Sequence, residues 1–275
     1  MFVYQCEDSL ESIFTAIYNV YEDKNDPQDV YLDLSGQPRL FAVYIPVLIQ
    51  TDKVKKVMRS LKRDFGEEDT MRLCYALTSP AEDKAQAVFQ TISLGIANRR
   101  GRTSQGHLFD QLANHWVNRA FVLYRAASCE QHQLTSFVRF SEVENRILLS
   151  KIAPKNNILA FLMPHFSDRL PAENFMIYDT NRDFFGIHPA GGDWYFVLGS
   201  DIVVEKATFT LSAKEHTYRS LFRSFCESIA IKERINKNLQ RTHLPLRYRE
   251  YMVEFEHTNF DQESIHFSRN DHLGI

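Results

Sequence analysis

Near Glu130 the hydrophobic pattern of this chain changes, and that change limits the folds it can adopt. Upstream, apolar residues recur at helical spacing. Ile13, Phe14, Ile17, Tyr18 and Tyr21 make one face of a run that Ser9 precedes and Asp26-Pro27 ends. Thr51-Asp52 opens a second helical run through Phe65, and Arg72 to Leu77 a third, broken at Ser79-Pro80. Helical spacing returns from Glu82 to Ile96 and from Leu108 to Ser128. Phe2 to Gln5 reads as a short strand, and Leu40 to Gln50 as a β-rich stretch containing Pro46.

Downstream, short β-rich runs alternate with turn residues. Phe137 to Pro154 reads as two strands around Glu144-Asn145, and a helix follows over Asn157 to Phe166. Asn174 to His188 reads as two strands turned at Asp179-Thr180-Asn181-Arg182. Gly191-Gly192 signals a hairpin before another strand at Asp193 to Leu198. Ser212 caps a long helix. This order predicts an α+β fold: a helical N-terminal half, an antiparallel sheet module with helices on one face, and a C-terminal helical segment. The expected regions are 1–128, mainly helical; 129–257, the α+β module; and 258–275, a polar tail.

With 275 residues the chain holds one large or two intimate domains. Cys6, Cys74, Cys129 and Cys226 are far apart and form no CxxC pattern, so no clustered metal or iron–sulfur site is expected. The N-terminus lacks the signature of a signal peptide, and no apolar run is long enough to span a bilayer. These features predict a cytoplasmic protein with reduced thiols and no membrane partner. No Walker loop, GxGxxG, GxSxG or HExxH motif is present.

Charge is distributed unevenly. The formal net charge is -3, yet Lys232 to Arg249 holds six Lys or Arg against one Glu. A local excess of cations on a near-neutral chain suggests an anionic partner, most commonly a phosphate backbone. Lys232, Arg234, Lys237, Arg241 and Arg247 are the candidate contacts; Tyr248 either stacks on a base or packs on the core with Tyr251 and Phe255. The alternative for this stretch is a solvated basic surface. Arg99, Arg100 and Arg102 around Gly101 form a second basic loop.

Three polar constellations could carry chemistry. Glu130 and His132 would share a face on an extended segment, where a carboxylate beside an imidazole makes an acid–base group. His165 falls three and four residues from Asp168 and Arg169, on one face of a helix end. Asp179 to Arg182 is a turn whose Asp and Asn need no ligand, with Arg182 as its candidate phosphate contact. Structural hydrogen bonding is the competing reading for each.

Glu130-Gln131-His132, the runs from Pro164 to Arg182 and from Ser228 to Phe255, and the opening Phe2 to Glu22 together resemble a bacterial family of unknown function associated with DNA metabolism or DNA repair. The resemblance covers most of the chain. It implies a gene neighbour encoding a radical-SAM protein of DNA modification or repair, and in some relatives fusion to a uracil-DNA-glycosylase-like domain. It marks His132, Arg139, His165, Asp168, Arg169, Asp179 and Arg182 as characteristic, without assigning roles. Gln133-Leu134-Thr135-Ser136 departs from the basic–aromatic–x-Gly run expected there.

The leading expectation is therefore a DNA- or RNA-associated protein of DNA repair, acting with a radical-SAM partner and needing no cofactor of its own. Arg139, Arg169 and Arg182 join the basic segment as phosphate contacts. One alternative is a nucleobase- or nucleotide-processing enzyme using Glu130, His132, His165 and Asp168. Another is a protein-binding adaptor marked by an exposed apolar patch.

Overall fold

The computed structural model describes residues 1–100, 107–201 and 210–255. The chain forms two compact units, Met1–Gln131 with Lys155–Ile158, and His132–Pro154 with the chain from Leu159 onward.

The first unit opens with strand β1 (Phe2–Gln5) and helix α1 (Leu10–Glu22). Ser9 caps α1, its hydroxyl accepting from the Ser12 amide at 3.1 Å, which satisfies a donor that the helix itself leaves unpaired. Ile13, Phe14, Ile17 and Val20 are buried, so the helical spacing marks the inward face. The chain returns through β2 (Val30–Asp33) and β3 (Val43–Pro46). Both run parallel to β1, giving a sheet of order β2-β1-β3. A parallel pair needs a crossover, and α1 supplies it between β1 and β2.

Helix α2 (Thr51–Leu77) is interrupted at Gly66, whose φ of 85° favours glycine. The two helical runs on either side match those expected from the sequence. Helix α3 (Lys84–Arg100) buries Phe89 and Ile92. Its buried Gln86 accepts from the Leu32 amide at 2.9 Å, tying α3 to β2. Gly95 lets α2 approach: a Cβ there would lie 2.4 Å from Leu108 Cδ1 and 2.8 Å from Phe65 Cε1.

The helix expected over Leu108 to Ser128 is displaced. Leu108–Asp110 is a 3-10 turn, and α4 runs from His115 to Phe137. The pattern after Ser128 predicts an extended segment with a strand from Phe137. Buried Ala127 and Leu134, seven apart, give the helical period that wins.

In the second unit, strands β4 (Ser141–Val143), β5 (Ile147–Ile152), β6 (Phe175–Asp179), β7 (Phe184–His188) and β8 (Tyr195–Leu198) form one sheet in sequence order. Helix α5 (Leu159–Arg169) connects β5 to β6, so these two strands run parallel while all other neighbours are antiparallel. The expected antiparallel module is thus a mixed sheet within an α+β fold. Leu162, Met163 and Phe166 seat α5, and Gly186 of β7 admits it: a Cβ there would lie 2.4 Å from Met163 Sδ.

Ser212 caps α6 (Ala213–Ile229), as its sequence predicts, accepting from the Glu215 amide at 3.1 Å. Two short helices follow, α7 (Lys237–His243) and α8 (Leu246–Arg249). Arg102, the Lys232 and Arg100 side chains, and the tail 258–275 lie outside the described residues. Among the described residues no helix is long and apolar enough to cross a membrane.

Candidate functional site

The end of α4 and the second half of α5 enclose a cavity of about 490 Å³, within the range of small-ligand sites. Thr135, Ser136, Arg139 and Phe140 form one wall; His165, Phe166, Arg169 and Leu170 form the other. Three of the residues singled out in the sequence, Arg139, His165 and Arg169, are brought together here. The period of α5 explains why. Leu162, Met163 and Phe166 face the sheet, which leaves His165, Asp168 and Arg169 exposed.

Arg139 is already committed. Its Nη1 donates to the carbonyls of Ser136 at 2.9 Å and Val138 at 3.2 Å. Its Nε and Nη2 donate to Glu254 Oε1 at 3.3 and 2.9 Å. The guanidinium thus caps the end of α4 and leaves little donor capacity for a ligand. Arg169 differs: it makes no ion pair with a described residue. Both helices end at this cavity, and a helix C-terminus carries roughly half a negative charge. Part of the positive potential of His165 and Arg169 is therefore offset locally.

The acid–base quartet is not gathered. Glu130 and His132 lie on α4, not on an extended segment, and two residues on a helix point about 200° apart. Glu130 is buried, and its carboxylate accepts from the amides of Lys155 at 3.1 Å and Asn156 at 2.8 Å and from Asn156 Nδ2 at 2.6 Å. His132 is exposed. Of the four, only His165 lines the cavity; Asp168 and His132 do not. The shared-face pairing of Glu130 with His132 is thereby corrected.

The turn at Asp179 is internally satisfied. Asp179 is fully buried, accepts from the Asn181 amide at 3.0 Å, and holds Arg182 Nη1 at 2.9 Å. Arg182 also donates to the Pro154 carbonyl at 3.1 Å, as does Asn181 Nδ2 at 2.9 Å. Burial raises the Asp179 carboxyl above its ordinary range, against the opposing pull of Arg182. Next to it, Tyr178 is pushed up to about 12, first by burial and then by its bond to Asp183. Arg182 is accordingly occupied by its own turn.

Tyr248 is also corrected as a stacking residue. It is buried, with its ring 5.4 Å from Phe137 and the Arg247 guanidinium 4.6 Å over it. Its hydroxyl donates to Gln133 at 2.9 Å. Packing against Phe137 explains the buried aromatic residue here. Arg234, Lys237 and Arg241 behave differently: all three are exposed and make no ion pair with a described residue. Lys237 and Arg241 are four apart on α7, on one face.

Sequence reasoning missed one surface. Helix α6 turns Glu215, Arg219 and Arg223 inward, where Arg219 holds Glu215 at 3.0 Å and donates to Ser141 at 2.6 Å. Tyr218, Leu221, Phe225 and Ile229 face outward, each more than half exposed. The period was legible; its inverted orientation was not, because a sequence shows two faces without saying which one the core takes.

Cys6 and Cys74 are made less acidic by burial, to about 12 and about 11, which suits inert thiols. No cluster of metal-ligating side chains occurs among the described residues.

The model of the domain of unknown function DUF4130 matches residues 82–254, and the chain belongs to that family. No curated protein matches it.

Proposed function

We propose that this DUF4130 member binds nucleic acid through its second unit, in the service of DNA repair or modification and alongside a radical-SAM protein. Arg234, Lys237 and Arg241 would supply the principal phosphate contacts, and Arg169 with His165 a further one in the cavity. One observation carries the phosphate reading. The second unit treats its cations in two ways. Arg139, Arg182 and Arg219 each hold a carboxylate. Arg169, Arg234, Lys237 and Arg241 are exposed without one among the described residues. Charges of the second kind lose nothing to local pairing, so they are available to displace counterions from a phosphate backbone. The repair role and the companion protein rest on the family resemblance.

The test is fluorescence anisotropy with labelled single-stranded DNA, duplex DNA and structured RNA over a range of salt. The R234A/K237A/R241A variant should bind more weakly. Its dependence of log affinity on log salt should flatten by about 0.9 per lost contact on duplex and about 0.7 on single strands. Arg169→Ala should flatten it by one further contact. Absence of affinity for all three probes at low salt would sink the reading.

The inverted face of α6 favours a second reading, a protein-binding adaptor. Its support is four large apolar side chains in a helical row, each more than half exposed, a pattern that accompanies interaction surfaces. Here the radical-SAM neighbour is the first partner to purify. Its binding should fall at least about tenfold in an L221S/F225S variant; unchanged binding removes this reading.

A further inference from the structure

The first unit contains a cleft of about 550 Å³ enclosed by α1, α2 and α3. Each helix presents one face to it: Ile17 and Tyr18 from α1, Leu61 and Asp64 from α2, and Ile92 and Arg99 from α3. Three helices that meet on apolar faces normally interdigitate and leave no void larger than a water molecule. Here the faces converge and the space between them stays open.

The cleft has two chemically distinct zones. Its floor is Ile17, Val57, Leu61 and Ile92, all buried. Its mouth is charged. Arg63 Nε and Nη2 hold the two Asp64 oxygens at 2.9 Å each, and Arg99 Nη2 approaches the same carboxylate at 3.8 Å. Two guanidinia therefore share one carboxylate. The bond to Arg63 keeps the Asp64 carboxyl below its usual range, so the group stays ionised. Lys56 adds a third cation to the lining. Glu22, the other acid there, is held by Lys53 at 2.6 Å. Positive charge at the mouth is thus left without a counter-ion above a floor that has no polar demand.

We infer that this cleft binds a small amphipathic anion, with a ring-sized apolar body on the Ile17–Leu61–Ile92 floor and one carboxylate, phosphate or sulfonate at Arg63 and Arg99. Size, floor and charge each restrict the ligand. The volume suits one or two fused rings. The floor gives affinity through area removed from water. The two guanidinia offer charge-assisted hydrogen bonds that a neutral ligand would leave unused. Lys56 lies 5.3 Å from the Tyr18 ring, so its ammonium is placed over an aromatic face while the arginines remain at the opening. The site is independent of the nucleic-acid reading, since every residue of it belongs to the first unit.

The probe is 8-anilinonaphthalene-1-sulfonate, an aromatic anion whose fluorescence rises on transfer to an apolar site. Titration of the full chain should saturate at one equivalent. Ser60→Trp, which fills the cleft, should abolish that site. The R63E/R99E variant, altered only at exposed side chains, should weaken binding at least about tenfold. The L221S/F225S variant should bind as wild type, which separates the cleft from the apolar face of α6. Naphthalene-2-carboxylate should displace the probe, and glutarate, which has charge but no apolar body, should not. Circular dichroism on each variant confirms folding. The inference is overturned if no saturable binding occurs, if binding survives both cleft variants, if it is lost in L221S/F225S, or if glutarate competes equally.

Discussion

The turn between β6 and β7 and the helical segment after Ala230 contain similar side chains and use them in opposite ways. In the turn, Asp179, Asn181 and Arg182 bond to one another and to the Pro154 carbonyl. In the segment, Arg234, Lys237 and Arg241 are exposed and hold no acid among the described residues. The same residue types are structural in one place and available in the other. What separates them is one buried acid: Asp179 holds the half-buried Arg182 and the amide of the exposed Asn181, and the segment has no such group among the described residues. A buried polar group must be satisfied inside the fold, so it is spent before any ligand arrives. An exposed cation has water as its default partner and can exchange it for phosphate.

The sharpest way to break this comparison is Glu130→Ala. Three donors would lose their acceptor in a buried site, and unfolding in urea should show a loss of about 3–5 kcal/mol. A loss under about 1 kcal/mol would mean that Glu130 is not a structural group. Tyr248 comes next. Tyr248→Ala should cost about 3–4 kcal/mol by emptying the space against Phe137, and Tyr248→Phe about 1 kcal/mol by unpairing Gln133. Tyr248→Phe should leave DNA affinity unchanged; a strong drop in affinity at normal stability would place the hydroxyl on the binding surface.

Asp179→Asn tests the turn through pH. The folded carboxyl titrates above its ordinary 3.8, so its contribution to stability is complete below that pH and declines as pH rises through the raised value. The asparagine variant lacks this titration. Wild type should therefore gain on the variant as pH is lowered. A wild-type advantage that grows with rising pH would contradict the burial argument. The smallest stability effect belongs to R234A/K237A/R241A, which should stay within about 0.5 kcal/mol of wild type in the same unfolding measurement. A larger loss would show that these cations are structural after all.

The legible parts of this chain were those fixed by local rules. Ser9 and Ser212 cap helices because a hydroxyl can accept from an amide three residues on. Asp179-Thr180-Asn181-Arg182 reads as a turn for its backbone needs alone. Three features depend on partners distant in sequence and were not legible. The parallel pairing of β5 with β6 is set by where α5 returns the chain. Val30–Asp33 was not recognised as a strand; its four residues owe their conformation to pairing with β1. The continuation of α4 past Ser128 put Glu130 inside and His132 outside, which undid their pairing. The cavity itself joins residues near 136 and 166, and only His165, Arg169 and Arg139 announced it by type.

The first unit is not continuous in sequence. Glu130 must wait for Asn156, 26 positions later, and the chain between them builds β4 and β5 of the other unit. During synthesis the carboxylate therefore emerges before its donors, which follow only after β4 and β5. A fragment ending at Gln131 would omit the very residues that complete it, whereas one extended through Ile158 would carry them. The matched family region begins at residue 82, after α1, α2 and the parallel sheet, so excising it would cut through the same unit from the other side. Expression boundaries for this protein are better drawn from where buried groups find their partners than from where sequence similarity starts and stops.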